Sequence, residues 1–464
     1  MMKSVSIALF LTLLAPSAMA SEGQATVEEV FDPTYRNGLV MQIEASIAEA
    51  QAKHGVISEK AAREIRRKAS VRYAPLDDIA KENDIVHHRM VALLNVWRRS
   101  LSEEGQASLH FGATTVDIYD TVRILQIKDS IALMREEMLG IERKLIALAE
   151  AHRDTPMVGR TLGQHALPIT LGKKVAVWAA ANRRNIERLN DLECRLDELG
   201  VFRGAVGTHL GLGEHGIEIE REVSASLGLG PTSPADWHGM RDVFGEYAMT
   251  LALMSRTYAG IGEEVFRLQM TDIGEVYEDR PGTAISSSTM PHKRNPSRSE
   301  SLIHYGRVIP AKAEILLDDV ANVFERDNTS RPNRTIEEIS IESADMLSDL
   351  ATLLDRLKVD EDRMAENLAR TDGMILAQRI VFTIQGEVGK EEAEERVTMA
   401  ARTAMAEKRS FRSVLLEDEE IGPLLEDRID ALLDPSSYIG LSAEQVDETS
   451  KWLSARTAVS RCGQ

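Results

Sequence analysis

The stretch IKDSIALMREEMLGIERKLIAL, residues 127–148, decides the fold. Its apolar positions Ile127, Ile131, Met134, Met138, Ile141, Leu145 and Leu148 recur by fours and threes. That spacing gathers side chains on one face of an α-helix. The chain has no proline between Pro75 and Pro156, so nothing in the backbone stops the helix early. Two further segments repeat the pattern in proline-free intervals. Val175, Trp178, Asn182, Leu189, Leu192, Leu196 and Leu199 form one seam, and Tyr247, Leu251, Met254, Tyr258, Ile261, Val265 and Leu268 form another. Each predicts a helix of roughly 25 residues or more, at the period of bundle packing. Narrow apolar seams on such long helices need several neighbours, which predicts a helical bundle completed by further copies of the chain.

Working outward, residues 21–121 read as shorter helices, such as 40–53 and 59–67. The chain after residue 371 reads as short helices broken by Gly386, Gly389, Gly422 and Pro435. The predicted fold class is therefore all-α, in three helical sections: 21–121, a long-helix bundle over 122–371, and 372–464. Neither βαβ alternation nor an internal repeat is visible, and strand signals are weak. A length of 464 residues excludes one small domain, and 43% hydrophobic residues excludes global disorder. With 55 Lys and Arg against 74 Asp and Glu, the net charge of −19 argues against a nucleic-acid-binding face. Cys194 and Cys462 cannot form a disulfide framework, and no Cys/His cluster points to a metal. At the N-terminus, Lys3, the apolar run 4–15 and Ala18-Met19-Ala20 have the order of a secretory leader cut before Ser21. This predicts a soluble mature protein in a periplasm or outside the cell, with no membrane association after cleavage.

Three polar, glycine-containing stretches interrupt the helical pattern. They are His110-Phe111-Gly112-Ala113-Thr114-Thr115-Val116-Asp117, the segment from Gly159 to Pro168, and the segment from Gly282 to Pro296, which precedes a helix containing Glu300. The first has the composition of a capped turn, with Thr114 or Thr115 as N-cap. The third places three serines and a glycine just before Lys293 and Arg294, a composition suited to holding an anion.

The third stretch also carries a resemblance. Ser286-Ser287-Ser288-Thr289-Met290-Pro291-His292-Lys293-Arg294-Asn295-Pro296-Ser297-Arg298-Ser299-Glu300 resembles the signature of the aspartase/fumarase superfamily, and the other two stretches match its two other conserved regions in order. Trp237 to Asp242, Gln269 to Glu278 and Leu433 to Leu441 are similar to 3-carboxy-cis,cis-muconate cycloisomerases. Phe324-Glu325-Arg326-Asp327 and Asn295 to Glu300 are similar to adenylosuccinate lyases.

The resemblance implies a homotetramer with each site shared between subunits, no cofactor and no metal. Its substrate is a small polycarboxylate with a succinyl-like unit. Ser287 then matches the base that removes the proton beside a carboxylate, which requires desolvation to stabilise its alkoxide. Lys293 and Asn295 match groups that stabilise the charge as it builds. Thr114, Thr115 and Gln164 match carboxylate-binding positions, His110 a substrate-binding histidine, and Glu300 an orienting residue. Arg326, Ser330 and Arg334 resemble a phosphate pocket that can equally hold a carboxylate. Two departures stand out. Ser286 replaces the glycine that opens the loop signature, and Leu162 replaces the histidine of the lyases' R-T-H-x-Q. Leucine cannot transfer a proton. A helical turn at this place would put His165 on roughly the face of residue 162, which makes His165 the favoured general acid over His110 and His88. The expected function is an extracytoplasmic lyase catalysing anti β-elimination, with C–N cleavage and fumarate release. The alternatives are intramolecular lactonisation and a non-catalytic secreted homologue.

Overall fold

The computed structural model describes residues 25–200, 202–234, 240–280, 282, 289–320, 323–326 and 332–456. The leader segment, Ser286 to Ser288, Trp237 to Gly239, Ser330 and Cys462 lie outside the described residues.

The N-terminal section contains α1 (Pro33–Lys53), α2 (Glu59–Arg67), α3 (Leu76–Val86) and α4 (Arg89–Arg98). Helix α1 opens on Asp32, whose carboxylate accepts the Thr34 N–H at 2.6 Å. Pro33 occupies the first helical position, where its missing N–H costs nothing. The 127–148 seam becomes part of α5 (Thr115–Ala151), a helix of 37 residues and so about 55 Å long. A two-stranded antiparallel hairpin follows, β1 (Pro156–Thr161) and β2 (Gln164–Thr170). The remaining long helices are α6 (Leu171–Leu196), α7 (Asp242–Leu268), α8 (Ser297–Asp318) and α9 (Pro332–Arg356). The short strands β3 (Val276–Glu278) and β4 (Leu357–Val359) pair antiparallel, and α10 (Glu361–Ala369) leads into the C-terminal section.

Side-chain contacts fix the direction of each helix. Arg241, just before α7, pairs with Asp120 near the start of α5 at 3.2 Å. Arg123 Nε donates to Asn333 at the start of α9 at 3.2 Å, while Lys144 and Asp355 pair at 2.6 Å near the other ends of the same two helices. Helices α5, α7 and α9 thus run one way, and α6 and α8 return between them. The seams meet in one core in which Ile127, Ile131, Met138, Ile141, Leu145, Leu189, Leu192, Leu251 and Tyr258 are fully buried. Asn182 is polar in that core but satisfied: it donates to the Met138 carbonyl at 3.0 Å and accepts the Tyr258 hydroxyl at 2.7 Å. Helices α7 and α8 approach so closely at two glycines that a Cβ on Gly306 would lie 2.3 Å from Ala259 Cβ, and one on Gly262 would lie 2.8 Å from Leu302 Cβ.

Three local features differ from the sequence-based expectation. Gly386 lies inside a helix, Ala377–Val388, and does not break the chain there; Gly389, with φ of 89°, does. Pro310 sits within α8, tolerated by tertiary packing. The segment 156–170 is a β-hairpin, although no strand stood out there. Its β-branched Val158, Thr161, Ile169 and Thr170 favour extended backbone, and Pro168 disfavours a helix interior. The last helix, Ser442–Ser454, returns to the central bundle, burying Val446 and Leu453 in the main core. Cys194, on α6, is disulfide-bonded. No helix among the described residues is long and apolar enough to cross a membrane.

Candidate active site

At the starting end of α5, the first polar stretch forms a turn locked from several sides. Thr114 is the N-cap of α5, and its N–H donates to the buried Asp117 carboxylate at 2.9 Å. Asp117 also accepts the Gly204 N–H at 3.1 Å, which ties a second loop to this end. Gly112 has φ of 72°, and a Cβ there would meet Leu212 at 2.8 Å. His110 adopts φ of 66° and holds Glu44 of α1 through Nδ1 at 2.6 Å. Burial alone would lower the His110 pKa, but the bond to Glu44 and its charge outweigh this and raise it. The other Glu44 oxygen, Oε2, is buried without a hydrogen-bond partner in the described structure. His88 caps α4, its Nδ1 accepting the Val91 N–H at 3.3 Å. Arg334, on the first turn of α9, is exposed and pairs with Glu338 at 2.7 Å; Arg326 precedes that helix.

The second and third stretches lie at the opposite end of the bundle. The hairpin turns through Leu162 and Gly163, with φ of 52° and 77°, a left-handed pair that matches strand twist. Residues 162 and 165 therefore do not share a helical face. Leu162 stands fully exposed at the tip, and His165 faces Arg160 across the ladder. Gln164 is exposed. His165 Nδ1 is buried with no partner among the described residues. Burial and then the Arg160 charge lower the His165 pKa, Glu275 opposes them, and Arg370 lowers it further. The imidazole thus rests neutral at neutral pH. The unfolded chain takes up this proton at higher pH than the folded one, so the contribution to stability is lost as pH falls through the ordinary histidine range.

The strand β3 segment fastens both stretches. The Glu275 carboxylate is fully buried and accepts Arg160 of β1 through Nη1 at 2.9 Å and Nη2 at 2.6 Å, and Asn367 at 2.8 Å. Glu278 accepts the Arg298 and Ser299 N–H groups, both at 2.9 Å, and the Ser299 hydroxyl at 2.7 Å. It thereby caps α8, whose own N-cap, Pro296, has no side chain able to do so. Arg280 donates to the Asn295 carbonyl at 3.0 Å, and Arg294 stacks on Tyr277 at 4.4 Å. Lys293 and Glu300 are exposed at this end. Glu44, Glu275 and Glu278 received no role from the sequence alone. A single carboxylate inside the apolar run from Val40 to Ala48 was the available signal for Glu44. The other two needed the tertiary contacts.

One chain therefore separates its candidate residues. His110, Thr114, Thr115, Arg326 and Arg334 stand at one end of α5; Gln164, His165, Lys293, Asn295 and Glu300 stand at the other, about 55 Å away. Among the described residues, no cluster of three or more His, Cys, Asp or Glu side chains is arranged to hold a metal.

Residues 25–310 match the family described as Lyase, and residues 373–449 match the adenylosuccinate lyase C-terminus. The chain belongs to the aspartase/fumarase superfamily. It is 36% identical to the adenylosuccinate lyase of Methanocaldococcus jannaschii over 93% of this chain and 94% of the relative. It is 34% identical to the N-acetyl-S-(2-succino)cysteine lyase of Enterococcus italicus, covering 88% and 90%. It is 33% identical to the 3-carboxy-cis,cis-muconate cycloisomerase of Pseudomonas aeruginosa, covering 91% and 93%. Among solved structures, a fumarate lyase from Mesorhizobium sp. BNC1 superposes with a TM-score of 0.85 at 32% identity, covering 93% of this chain and 97% of that one. This superfamily membership makes the chain an enzyme, a lyase or a cycloisomerase. It also accounts for a helical fold whose hairpin and loops interrupt the bundle at its ends.

Proposed function

We propose that this superfamily member is an extracytoplasmic lyase. It would catalyse cofactor-free anti β-elimination from a succinyl-type polycarboxylate, cleaving a C–N bond and releasing fumarate. The observation that carries this reading is the common fastening of the hairpin and the α8 N-terminus by Glu275 and Glu278. It keeps an imidazole and an amide at the same end of the bundle as Lys293 and Asn295. In the proposed reaction Ser287 removes the proton, and Lys293 and Asn295 stabilise the resulting dianion. Gln164 binds carboxylate, Glu300 orients the loop, and His165, neutral in the free chain, protonates the leaving nitrogen after the substrate's carboxylates draw a proton onto its imidazole. His110, Thr114, Thr115, Arg326 and Arg334 of another copy complete the site, because their own chain holds them at the far end of α5. The relatives named for succinylated substrates support the succinyl unit. Mixing the protein with a panel of succinyl amines and following fumarate by ultraviolet absorbance tests this. Fumarate release supports the reading, and its absence across the panel refutes it.

One observation favours a second reading. Leu162, which cannot transfer a proton, occupies the exposed hairpin tip, and a cycloisomerase is among the relatives. Lactone formation from an unsaturated tricarboxylate, with no fumarate, would select intramolecular lactonisation.

The assembly is expected to be a homotetramer. Met249, Leu253 and Phe266 on α7, Met270 just after it, and Ile315 and Leu317 on α8 are exposed in the single chain, an arrangement that association would cover. Light scattering should give roughly four times the chain mass, and a stable monomer at micromolar concentration would contradict it. Export is expected from the leader, and the Cys194 disulfide supports an oxidising compartment. Intact mass of protein recovered from a Gram-negative periplasm should correspond to a chain starting at Ser21 with no free thiol.

A further inference from the structure

Cys194 and Cys462 are the two cysteines of the sequence. Cys194, half-buried near the end of α6, is disulfide-bonded, and no cysteine among the described residues is free. Its partner is therefore Cys462 of the same chain or a cysteine of another copy. What the bond would hold is the last helix, Ser442–Ser454, which brings the end of the C-terminal section back to the bundle. Of its 13 residues, Val446 and Leu453 are the apolar side chains buried in the main core. A helix of that length is marginal in isolation, and a chain terminus frays unless it is tied down.

Polar contacts supply ties in order along the helix. Asp447 accepts Arg153, just past the end of α5, through Nη2 at 2.8 Å and Nε at 2.9 Å. Ser450 donates to Glu150 of α5 at 2.9 Å. Arg456 stacks on Trp452 at 4.0 Å and pairs with Glu187 of α6 at 2.6 Å, while its carbonyl accepts Arg183 Nη1 at 3.3 Å. Arg183 is buried and held by Glu142 of α5 at 2.8 Å, so this last tie is to a fixed group. The geometry selects Cys462 of the same chain. Glu187 and Cys194 lie four and eleven residues after Arg183, close to one and three whole turns, so all three share a face of α6. Cys194 stands roughly 10 Å beyond Glu187 along the axis. Arg153 lies beside the start of α6, where the Gly172 N–H donates to the His152 carbonyl at 2.8 Å. The last helix passes from there to Glu187, and so runs along α6 in the direction of Cys194. Cys462 is six residues past Arg456, and a segment of that length spans up to roughly 20 Å.

We propose that Cys194 and Cys462 of one chain are joined as a redox-sensitive clasp that pins the last helix to α6. Closing it forms one S–S bond and removes one hydrogen from each thiol. By exchange, both electrons and both protons pass to a disulfide oxidant, which leaves as two thiols. The clasp is independent of the elimination chemistry. Oxidising the mature protein with glutathione disulfide also makes its test independent of export. Tryptic digestion without reductant should then yield the peptide Leu189–Arg195 joined to Cys462–Gln464, and non-reducing electrophoresis should show single chains. Reduction with dithiothreitol should speed trypsin cleavage after Lys451 and Arg456 by about tenfold. Cys462→Ser, placed near the chain end where folding should survive, should be cleaved at the reduced rate without reductant, and Cys194→Ser likewise. Three outcomes would overturn the clasp: two free thiols in the oxidised protein, reductant-sensitive species of twice the chain mass, or equal cleavage rates in oxidised and reduced protein.

Discussion

Replacing Ser287 by alanine is expected to lower kcat by about three to five orders of magnitude, while substrate affinity changes by less than about threefold. In the proposed reaction the serine acts only where a proton leaves carbon. Its hydroxyl contributes little to ground-state binding, and alanine leaves no buried charge behind. An unperturbed serine is a very weak base, so its alkoxide must be stabilised by neighbouring donors and by exclusion of water. Lys293→Ala should therefore behave differently, raising KM and lowering kcat together, because its charge acts on the carboxylate in both states. Stopped-flow substrate binding combined with steady-state rates separates the two patterns. Near-normal turnover in Ser287→Ala would remove the base assignment altogether.

Glu275→Ala is expected to cost about 3–5 kcal/mol of stability and to lower kcat by about two orders of magnitude. The carboxylate is fully buried and satisfies both terminal nitrogens of Arg160 as well as the Asn367 amide. Its removal leaves the Arg160 guanidinium, only 17% exposed, without its partner. The hairpin carrying Gln164 and His165 then loses its main polar attachment to β3. Glu275→Gln retains the shape and one acceptor oxygen, so it should lose much less stability than the alanine variant. Thermal melts of the three proteins and their kcat values check the ordering. Equal melting temperatures for wild type and Glu275→Ala would show that the hairpin is held by other means.

The long helices were legible in the sequence because each seam is a local property. An apolar residue every three or four positions points one way wherever its neighbours lie, and α5, α6 and α7 bear their seams out. The three candidate stretches were legible as composition, since glycine, threonine, serine and lysine interrupt apolar periodicity. The conformation of the second stretch was not. Arg160 to Pro168 has too few residues to establish a period, and its hairpin is stabilised by the buried Glu275, 115 residues away from Arg160. The helical turn on which the alignment of His165 with Leu162 depended is absent, and that long-range pairing holds a hairpin in its place.

Sequence alone thus determined a helical bundle, the superfamily signature and the residue types available for proton transfer and carboxylate binding. These rest on local periodicity and on short contiguous motifs. Tertiary structure alone decided which of these residues share an end of the molecule. A helix of 37 residues holds its two ends about 55 Å apart, so the residues of the proposed site are separated within one chain. Buried Glu275 and Glu278, which the linear sequence offered only within a stretch similar to cycloisomerases and without a role, join the hairpin to α8 because a buried carboxylate must find donors wherever the fold supplies them.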